Sequence, residues 1–585
     1  MNLFKNSKTK DSIALRNLTE GRDNCSSGNG LSSQEIAHGV VQYAIIDDNN
    51  SLHKPLKTHP LTVTVFVALA IYATTKLFDL TYREPFQTIN DTQQYGFEPV
   101  ECWFGEASAL PPTECYYMHV PEDHATPNDT AITFPVVVFR SDSIFSYKAP
   151  VLHLGGGGPG AAMDLDSIES VKSIWRYHDK LSTDQGRDLF IIDPRGTGLS
   201  KPLLTCDTFV ENEAKRLQDS RSFTQQWEEV HKDYVECIDR FKSQGVNLST
   251  YNSLSIANDI EMMRIAANID EWVLIGVSYA ATYAQIIATQ YPESVESMVL
   301  GSATFPNVKP HDNYFNKTMA RYSALYNHCS LSATCTTPPK EVEDRIWSLH
   351  QALNLNPITL EIDHPYNHSK IEVPLNGERF IAALFNGLYG IEIFSHLRKI
   401  IPQLERRSAL TITPYLESHI AYLLDPTYGD VSAISHYCYE DKPYTDFESM
   451  RMQADKLPKG YIRDTALLSL DLPNHCSEML IEAGDPVVSL ATKTHIPTLF
   501  LHGEFDTITP LSDVVEQRKS FTNHCLATYK LTHYVLGRNR HAGKMAAEFI
   551  SNATTEAMKL DCSAIESDRA VAVVTSNESK DVSDL

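Results

Sequence analysis

The chain has 585 residues, 42% of them hydrophobic and 21% charged, and a formal net charge of −24. That apolar content suffices for a packed core and excludes wholesale disorder; the length allows up to about four domains, or one large domain carrying an insertion. So acidic a surface repels phosphate backbones, and with no local basic patch the composition counts against nucleic-acid binding.

Residues 1–60 are polar, with a Ser/Gly-rich cluster at 25–33, and read as a flexible cytoplasmic tail. The segment 61–78 follows. Leu61 to Thr75 carry no charge, and Leu77 and Phe78 extend the run beyond Lys76. A helix of about 18 residues spans roughly 27 Å, enough for a bilayer core if Lys76 snorkels. The segment is therefore expected to be a single transmembrane signal anchor, with a buried core helix as the alternative. A cleaved signal peptide fits less well, because about 60 polar residues precede the run. Lys54 and Lys57 lie before it, Lys76 and Arg83 after it. This weak asymmetry favours a cytoplasmic N-terminus and an extracytoplasmic catalytic part, whether periplasmic, lumenal or extracellular. Residues 79–100 read as a linker.

From 101 the texture changes. The runs TAITFPVVVFRS, APVLHL, DLFIIDPRG, EWVLIGVS and SVESMVLGS read as strands. AATYAQIIATQYP has helical spacing and stops at Pro292. IPTLFLHGEFD and ATYKLTHYVLG continue the strand pattern near the end. Strands alternating with helices predict an α/β fold, a mostly parallel sheet with helices on both faces. The stretch 305–490 is mainly helical and reads as an inserted cap. It divides the core into 101–304 and 491–563, and an acidic tail occupies 564–585.

The segment Gly276-Val277-Ser278-Tyr279-Ala280 sits between a strand and a helix. That is the context of a nucleophile elbow, whose tight turn needs small residues two before and two after the serine. A serine hydroxyl needs a base to take its proton and an acid to orient that base. In α/β-hydrolases the acid and the histidine follow in that order. Asp506 lies just beyond the strand ending His502-Gly503-Glu504, with Glu504 as the competing acid. His541 lies in the Gly-flanked segment GRNRHAG after the last expected strand, whereas His502 and His533 fall within strand-like runs and read as structural. The predicted triad is Ser278, Asp506 and His541. The glycine run Gly155–Gly158, after a strand, would supply backbone N–H donors for an oxyanion hole from Gly157 or Gly158, joined by Tyr279. It lacks the GK[ST] of a phosphate loop. Asp193 and Arg195 in DPRGTGLSKP read as scaffold for that loop.

These pieces resemble a known family. CYYMHVPEDHATP at 115–127, GGGGPG at 155–160, DPRGTGLSKP at 193–202, GVSYAATYAQIIATQYPESVESMVL at 276–300 and IPTLFLHGEFDTITP at 496–510 look like the serine exopeptidases of the α/β-hydrolase class, the prolyl and tripeptidyl aminopeptidases. AAEFISNATTEAMKLDCS at 546–563 is similar as well. The resemblance implies the same triad and an aminopeptidase that needs no metal or cofactor. Three positions depart from the family pattern: Ala280-Ala281 replaces a glycine pair, Gly156 stands where many prolyl aminopeptidases carry histidine, and Arg540 precedes His541 in place of glycine. The cap looks closer to the tripeptidyl subgroup.

The leading expectation is thus a membrane-anchored serine aminopeptidase acting on peptides with a free N-terminus. The alternatives are a carboxylesterase for small esters and a catalytically silent binding ectodomain. The silent ectodomain would be expected to have lost a triad member. An exopeptidase must read the substrate ammonium, and the acidic pair Glu440-Asp441 is the expected reader. No CxxC pair or Cys/His cluster has zinc spacing among the 11 cysteines. An extracytoplasmic setting favours disulfides. Cys102–Cys115 and Cys206–Cys237, which also fit the resemblance, are the first candidates, and Cys329–Cys335 is next.

Overall fold

The computed structural model describes residues 85–552, apart from 106–109, 128–129, 143–147, 156–157, 310–313, 328–336, 458–462, 464–473 and 482–483. The expected anchor at 61–78, the tails at 1–60 and 564–585, Gly157 and the Cys329–Cys335 pair lie outside the described residues. Among the described residues no helix is long and apolar enough to cross a membrane.

The strands are β1 (Gly96–Val100), β2 (Thr113–Pro121), β3 (Ala131–Phe139), β4 (Val151–Leu154), β5 (Leu189–Ile192), β6 (Trp272–Val277), β7 (Val295–Gly301), β8 (Ile358–Asp363), β9 (Lys370–Leu375), β10 (Thr498–Gly503) and β11 (His524–Tyr529). Nine of them form one sheet in the order β1-β2-β3-β5-β4-β6-β7-β10-β11. The first three are joined antiparallel, and β3 also meets β5 antiparallel. From β5 to β11 every pairing is parallel. The central strands, LFII in β5 and WVLIGV in β6, are apolar on both faces, as a sheet covered on both sides requires. Alternate residues feed two cores: Leu152, Phe190, Leu274 and Met298 on one face, Val151, Ile191, Val273 and Val299 on the other. The expected linker at 79–100 is corrected at its end, because Gly96–Val100 pairs with β2 and Phe97 is fully buried in the first of these cores.

The helices that concern the site are α1 (Ser253–Ala266), α2 (Ala280–Gln290), α3 (Tyr314–Tyr326), α4 (Gly377–Gly387) and α5 (Arg540–Asn552). Between β7 and β10 the chain builds α3, α4 and further helices such as Glu392–Glu405 and Thr413–Leu423. These pack around a separate apolar cluster that includes Ile346, Leu384, Leu397 and Ile420. The hairpin β8–β9 belongs to this insertion, with Ile362 opposite Ile371 on its buried side. Its one-sided alternation is short and was not anticipated in a stretch read as helical.

Disulfides join Cys102–Cys115 and Cys206–Cys237, as expected, and Cys438–Cys476 within the insertion. Closing chain separations of 13, 31 and 38 residues contributes on the order of 3–4 kcal/mol each if unstrained. Such bonds persist in oxidising compartments.

Candidate active site

Every group of interest lies beyond the carboxyl end of a parallel strand, where open α/β sheets gather their sites. Ser278 follows β6, the glycine run follows β4, Asp193 follows β5, Asp506 follows β10, and His533 follows β11. Ser278 has φ 60°, a left-handed conformation that costs a non-glycine residue energy and projects its side chain from the turn. Gly276 permits this turn, since a Cβ there would lie 2.7 Å from the Ala280 carbonyl oxygen. Ser278 N–H donates to Gly301 O at 2.9 Å and its carbonyl accepts from Thr304, so β7 fixes the elbow from below. Among the described residues its Oγ has no hydrogen-bond partner, and it opens into a cavity of about 640 Å³.

Asp506 is buried and ionised. Its Oδ1 accepts from the Ile508 and Thr509 N–H groups, and its Oδ2 accepts from Thr509 Oγ1 at 2.7 Å. That same Oδ2 lies 3.0 Å from Nδ1 of His533. Burial works against the charge, but His533, His502 and the Thr509 N–H outweigh it and hold this carboxyl well below the usual carboxylate range. The linked stability is therefore present above the unfolded value of about 4 and is lost only as pH falls through the lower folded value. Glu504, the competing acid, is exposed.

The histidine that the structure brings to Asp506 is not the expected His541. His541 occupies the first turn of α5, where Asn539 Oδ1 accepts from its N–H and from that of Ala542. Its Nδ1 lies 3.2 Å from Tyr529 Oη, and it makes no hydrogen bond to Asp506. His533 is the partner instead. It is fully buried, its carbonyl accepts from Ser302 Oγ, and its Nε2 has no partner among the described residues. Residues 301 and 302 thus hold the serine turn on one side and the histidine on the other. Tyr389 meets the His533 ring edge-on at 5.2 Å, and Tyr534 packs against it at 5.3 Å. Both tyrosines line the same cavity as Ser278.

The run read as one strand, ATYKLTHYVLG, in fact stops at Tyr529. β10 and β11 pair residue for residue, Thr498 with His524 through Gly503 with Tyr529. A partner six residues long leaves Lys530 onward in the loop. Matching strand lengths was the signal that could have placed His533 beyond the sheet.

Of the expected oxyanion donors, Gly158 lines the cavity with Ser278, and Tyr279 immediately precedes α2. The glycine loop is clamped from both sides. Asp193 Oδ1 accepts from Met163 N–H at 2.6 Å and Oδ2 from Leu199 N–H at 3.1 Å. Burial pushes the Asp193 carboxyl up to about 7, against the pull of those two N–H groups. From the insertion, Tyr428 Oη donates to Pro159 O at 3.0 Å and Gly429 N–H to Gly160 O at 2.8 Å. Gly160 has φ 109°, and a Cβ on it would lie 2.7 Å from Gly429 O. Arg195 is locked to Asp259 by two short contacts and donates to the Glu122 and Thr250 carbonyls. Both residues of DPRGTGLSKP therefore serve as scaffold.

The expected ammonium readers are also corrected. Glu440 is 1% exposed, and both its oxygens are engaged. Oε1 accepts from Ser253 N–H at the start of α1, and Oε2 accepts from Ser253 Oγ at 2.8 Å and Tyr279 Oη at 2.9 Å. A carboxylate at a helix N-terminus satisfies orphan donors and favours the helix dipole. Asp441 pairs with the buried Lys309 at 3.5 Å. Neither carboxylate is among the cavity-lining residues. Glu440→Gln is expected to lower stability by about 2–3 kcal/mol, the scale of hydrogen bonds to a buried charge. It should leave the ratio of rates on free-amine and N-acetylated substrates unchanged. Thermal melting and paired kinetics check both.

The family described as alpha/beta hydrolase fold matches residues 151–334. The chain has an α/β-hydrolase fold. Among curated relatives, this chain is 25% identical to serine protease Hip1 of Mycobacterium tuberculosis over 246 residues, 39% of this chain and 44% of that protein. It is 26% identical to tripeptidyl aminopeptidase of Streptomyces lividans over 202 residues, 34% of this chain and 36% of that protein. It is 26% identical to carboxylesterase B of Mycobacterium tuberculosis over 242 residues, 40% of this chain and 44% of that protein. The chain thus spans under half the length of these relatives. It resembles the serine peptidases of its fold.

Proposed function

We propose that this protein is an extracytoplasmic serine hydrolase that removes one or a few residues from peptide N-termini. The observation that carries the reading is the Asp506–His533 pair beside a strained serine. Asp506 fixes the ring through Nδ1, which leaves Nε2 without a partner among the described residues, and the Ser278 hydroxyl has none there either. In this reading His533 takes the proton of Ser278 as Oγ attacks the substrate carbonyl. The oxyanion forms against backbone N–H groups of Tyr279 and the glycine run. His533 then returns the proton to the leaving amine, and the acyl-enzyme is hydrolysed by water activated in the same way. No metal or cofactor takes part. Disulfides in three places support an oxidising compartment, consistent with the anchor read from 61–78.

The cavity shape favours a peptide over a small ester. At about 640 Å³ it is lined by Ser278, Tyr389 and Tyr534 and also by Phe223, Asn376, Glu378 and Arg379. Glu213 and Glu378 are its lining carboxylates. Glu213 is neutralised by Arg216 at 2.8 Å and Glu378 accepts from the Phe223 N–H; in this reading Glu378 takes the ammonium role first given to Glu440. His350 and His419 line the same region, and burial lowers both to about 4, which leaves them neutral near pH 7. N-acetylating a tripeptide amide substrate is expected to lower kcat/KM by about ten- to a hundredfold, the scale of one charged hydrogen bond. Equal turnover of acetylated and free peptides, with faster turnover of small esters, would favour the carboxylesterase reading.

A further inference from the structure

We propose that Arg321 binds a carboxylate of the substrate next to the scissile bond. The inference rests on the reading of Ser278 and its cavity as an acyl-transfer site, and it names a chemical requirement that this reading does not contain.

Arg321 projects from α3 in the insertion and lines the cavity together with Ser278. Its position at the catalytic end is fixed by three neighbours. Its Nε donates to the Thr507 carbonyl at 3.4 Å, one residue after Asp506. Its guanidinium carbon lies 6.0 Å from the Phe385 ring, and Phe385 lines the same cavity. Its charge also acts on the Tyr389 phenol: burial raises that group, and Arg321 pulls against the rise. Tyr389 is the residue whose ring meets His533.

The other cations of the cavity are already committed. Arg221 is paired with Asp219 and Glu229. Arg379 donates to the Pro374 and Arg216 carbonyls at 2.7 and 2.9 Å. Arg321 has no carboxylate partner among the described residues, and its single hydrogen bond uses Nε. The two Nη groups, the fork that grips a carboxylate with two parallel bonds, are left facing a partly enclosed cavity. An unpaired cation removed from bulk water is costly, and a bound anion relieves that cost. The charge layout then acquires a sense. Glu213 and Glu378 line the cavity as carboxylates, and Arg321 lines it as an open cation beside Thr507. A peptide that places its ammonium on the former brings its acyl residue, or the first residue beyond the cut, to the latter. Two sources could supply the carboxylate: the side chain of an Asp or Glu that donates the acyl group, or the terminal carboxylate of a short leaving fragment.

Binding to the full-length Ser278→Ala protein separates this proposal from the catalytic reading, because no turnover is needed. Calorimetry would compare Ala-Ala-Glu-amide with Ala-Ala-Gln-amide, and Ala-Ala-Ala-Ala as free acid with its C-terminal amide. In one of these pairs the carboxylate form is expected to bind about tenfold or more tightly, which identifies the source. Adding Arg321→Gln should reduce that ratio to near unity, and Arg321→Glu should invert it. Melting temperature and fluorophosphonate labelling of the Arg321 variants on an intact Ser278 background confirm that they are folded. A carboxylate preference absent from both pairs, or one that survives Arg321→Gln in a folded protein, overturns the proposal. Loss of labelling at Ser278 in the wild type would instead defeat the catalytic reading and leave the binding ratios to stand or fall separately.

Discussion

His533→Ala is expected to lower kcat by about four orders of magnitude or more, while His541→Ala leaves it essentially unchanged. The two histidines are eight positions apart and both follow the last strand, yet their surroundings differ in kind. His533 holds Asp506 by Nδ1 and keeps Nε2 uncommitted, so its loss removes the proton acceptor and strands a buried, ionised carboxylate. His541 starts a helix that Asn539 already caps through the backbone, and its side chain meets Tyr529. Truncating it removes a partly buried contact and no proton acceptor. Steady-state kinetics on one peptide amide, with circular dichroism to confirm folding, separates the two variants. Equal loss in both would place the base elsewhere in the loop.

Ser278→Ala is expected to reduce kcat by about 10⁴- to 10⁶-fold with little change in substrate affinity. The hydroxyl bonds to no protein atom among the described residues, so its removal costs the fold little. The strained φ of 60° is enforced by Gly276, by the bond to Gly301 and by the burial of α2, all of which survive the change. Alanine should tolerate that conformation no worse than serine. A melting temperature near that of the wild type, together with peptide binding at wild-type affinity, would show that the residual defect is chemical.

Much of the core was legible in the sequence because short-range rules govern it. The glycine two before Ser278, the apolar runs of β5 and β6 and the helical spacing of α2 act over a few residues, and the fold realises each of them. Cys102–Cys115 was legible by its closeness in sequence and Cys206–Cys237 by the helical stretch it flanks and by the resemblance, whereas Cys438–Cys476 joins two helices of the insertion across 38 residues and offered no local cue. The histidine was misplaced because apolarity continues past the end of β11 into Leu531, and only pairing with β10 shows where hydrogen bonding stops. Glu440 was misread for a related reason. Its acidity was visible, but its partners, Ser253 and Tyr279, lie 187 and 161 residues away. Arg321 gave no signal at all, since an arginine on a cap helix acquires meaning only from the carboxylates it lacks.

Activation of Ser278 by Asp506 and His533 can be read by site-resolved labelling. The full chain, its His533→Ala and its His541→Ala variants would each be treated with a fluorophosphonate and digested, and the modified peptide read by mass spectrometry. One adduct is expected on Ser278 in the wild type and in His541→Ala, and none in His533→Ala. An adduct that persists in His533→Ala and disappears in His541→Ala, or that maps to a residue other than Ser278, would contradict it.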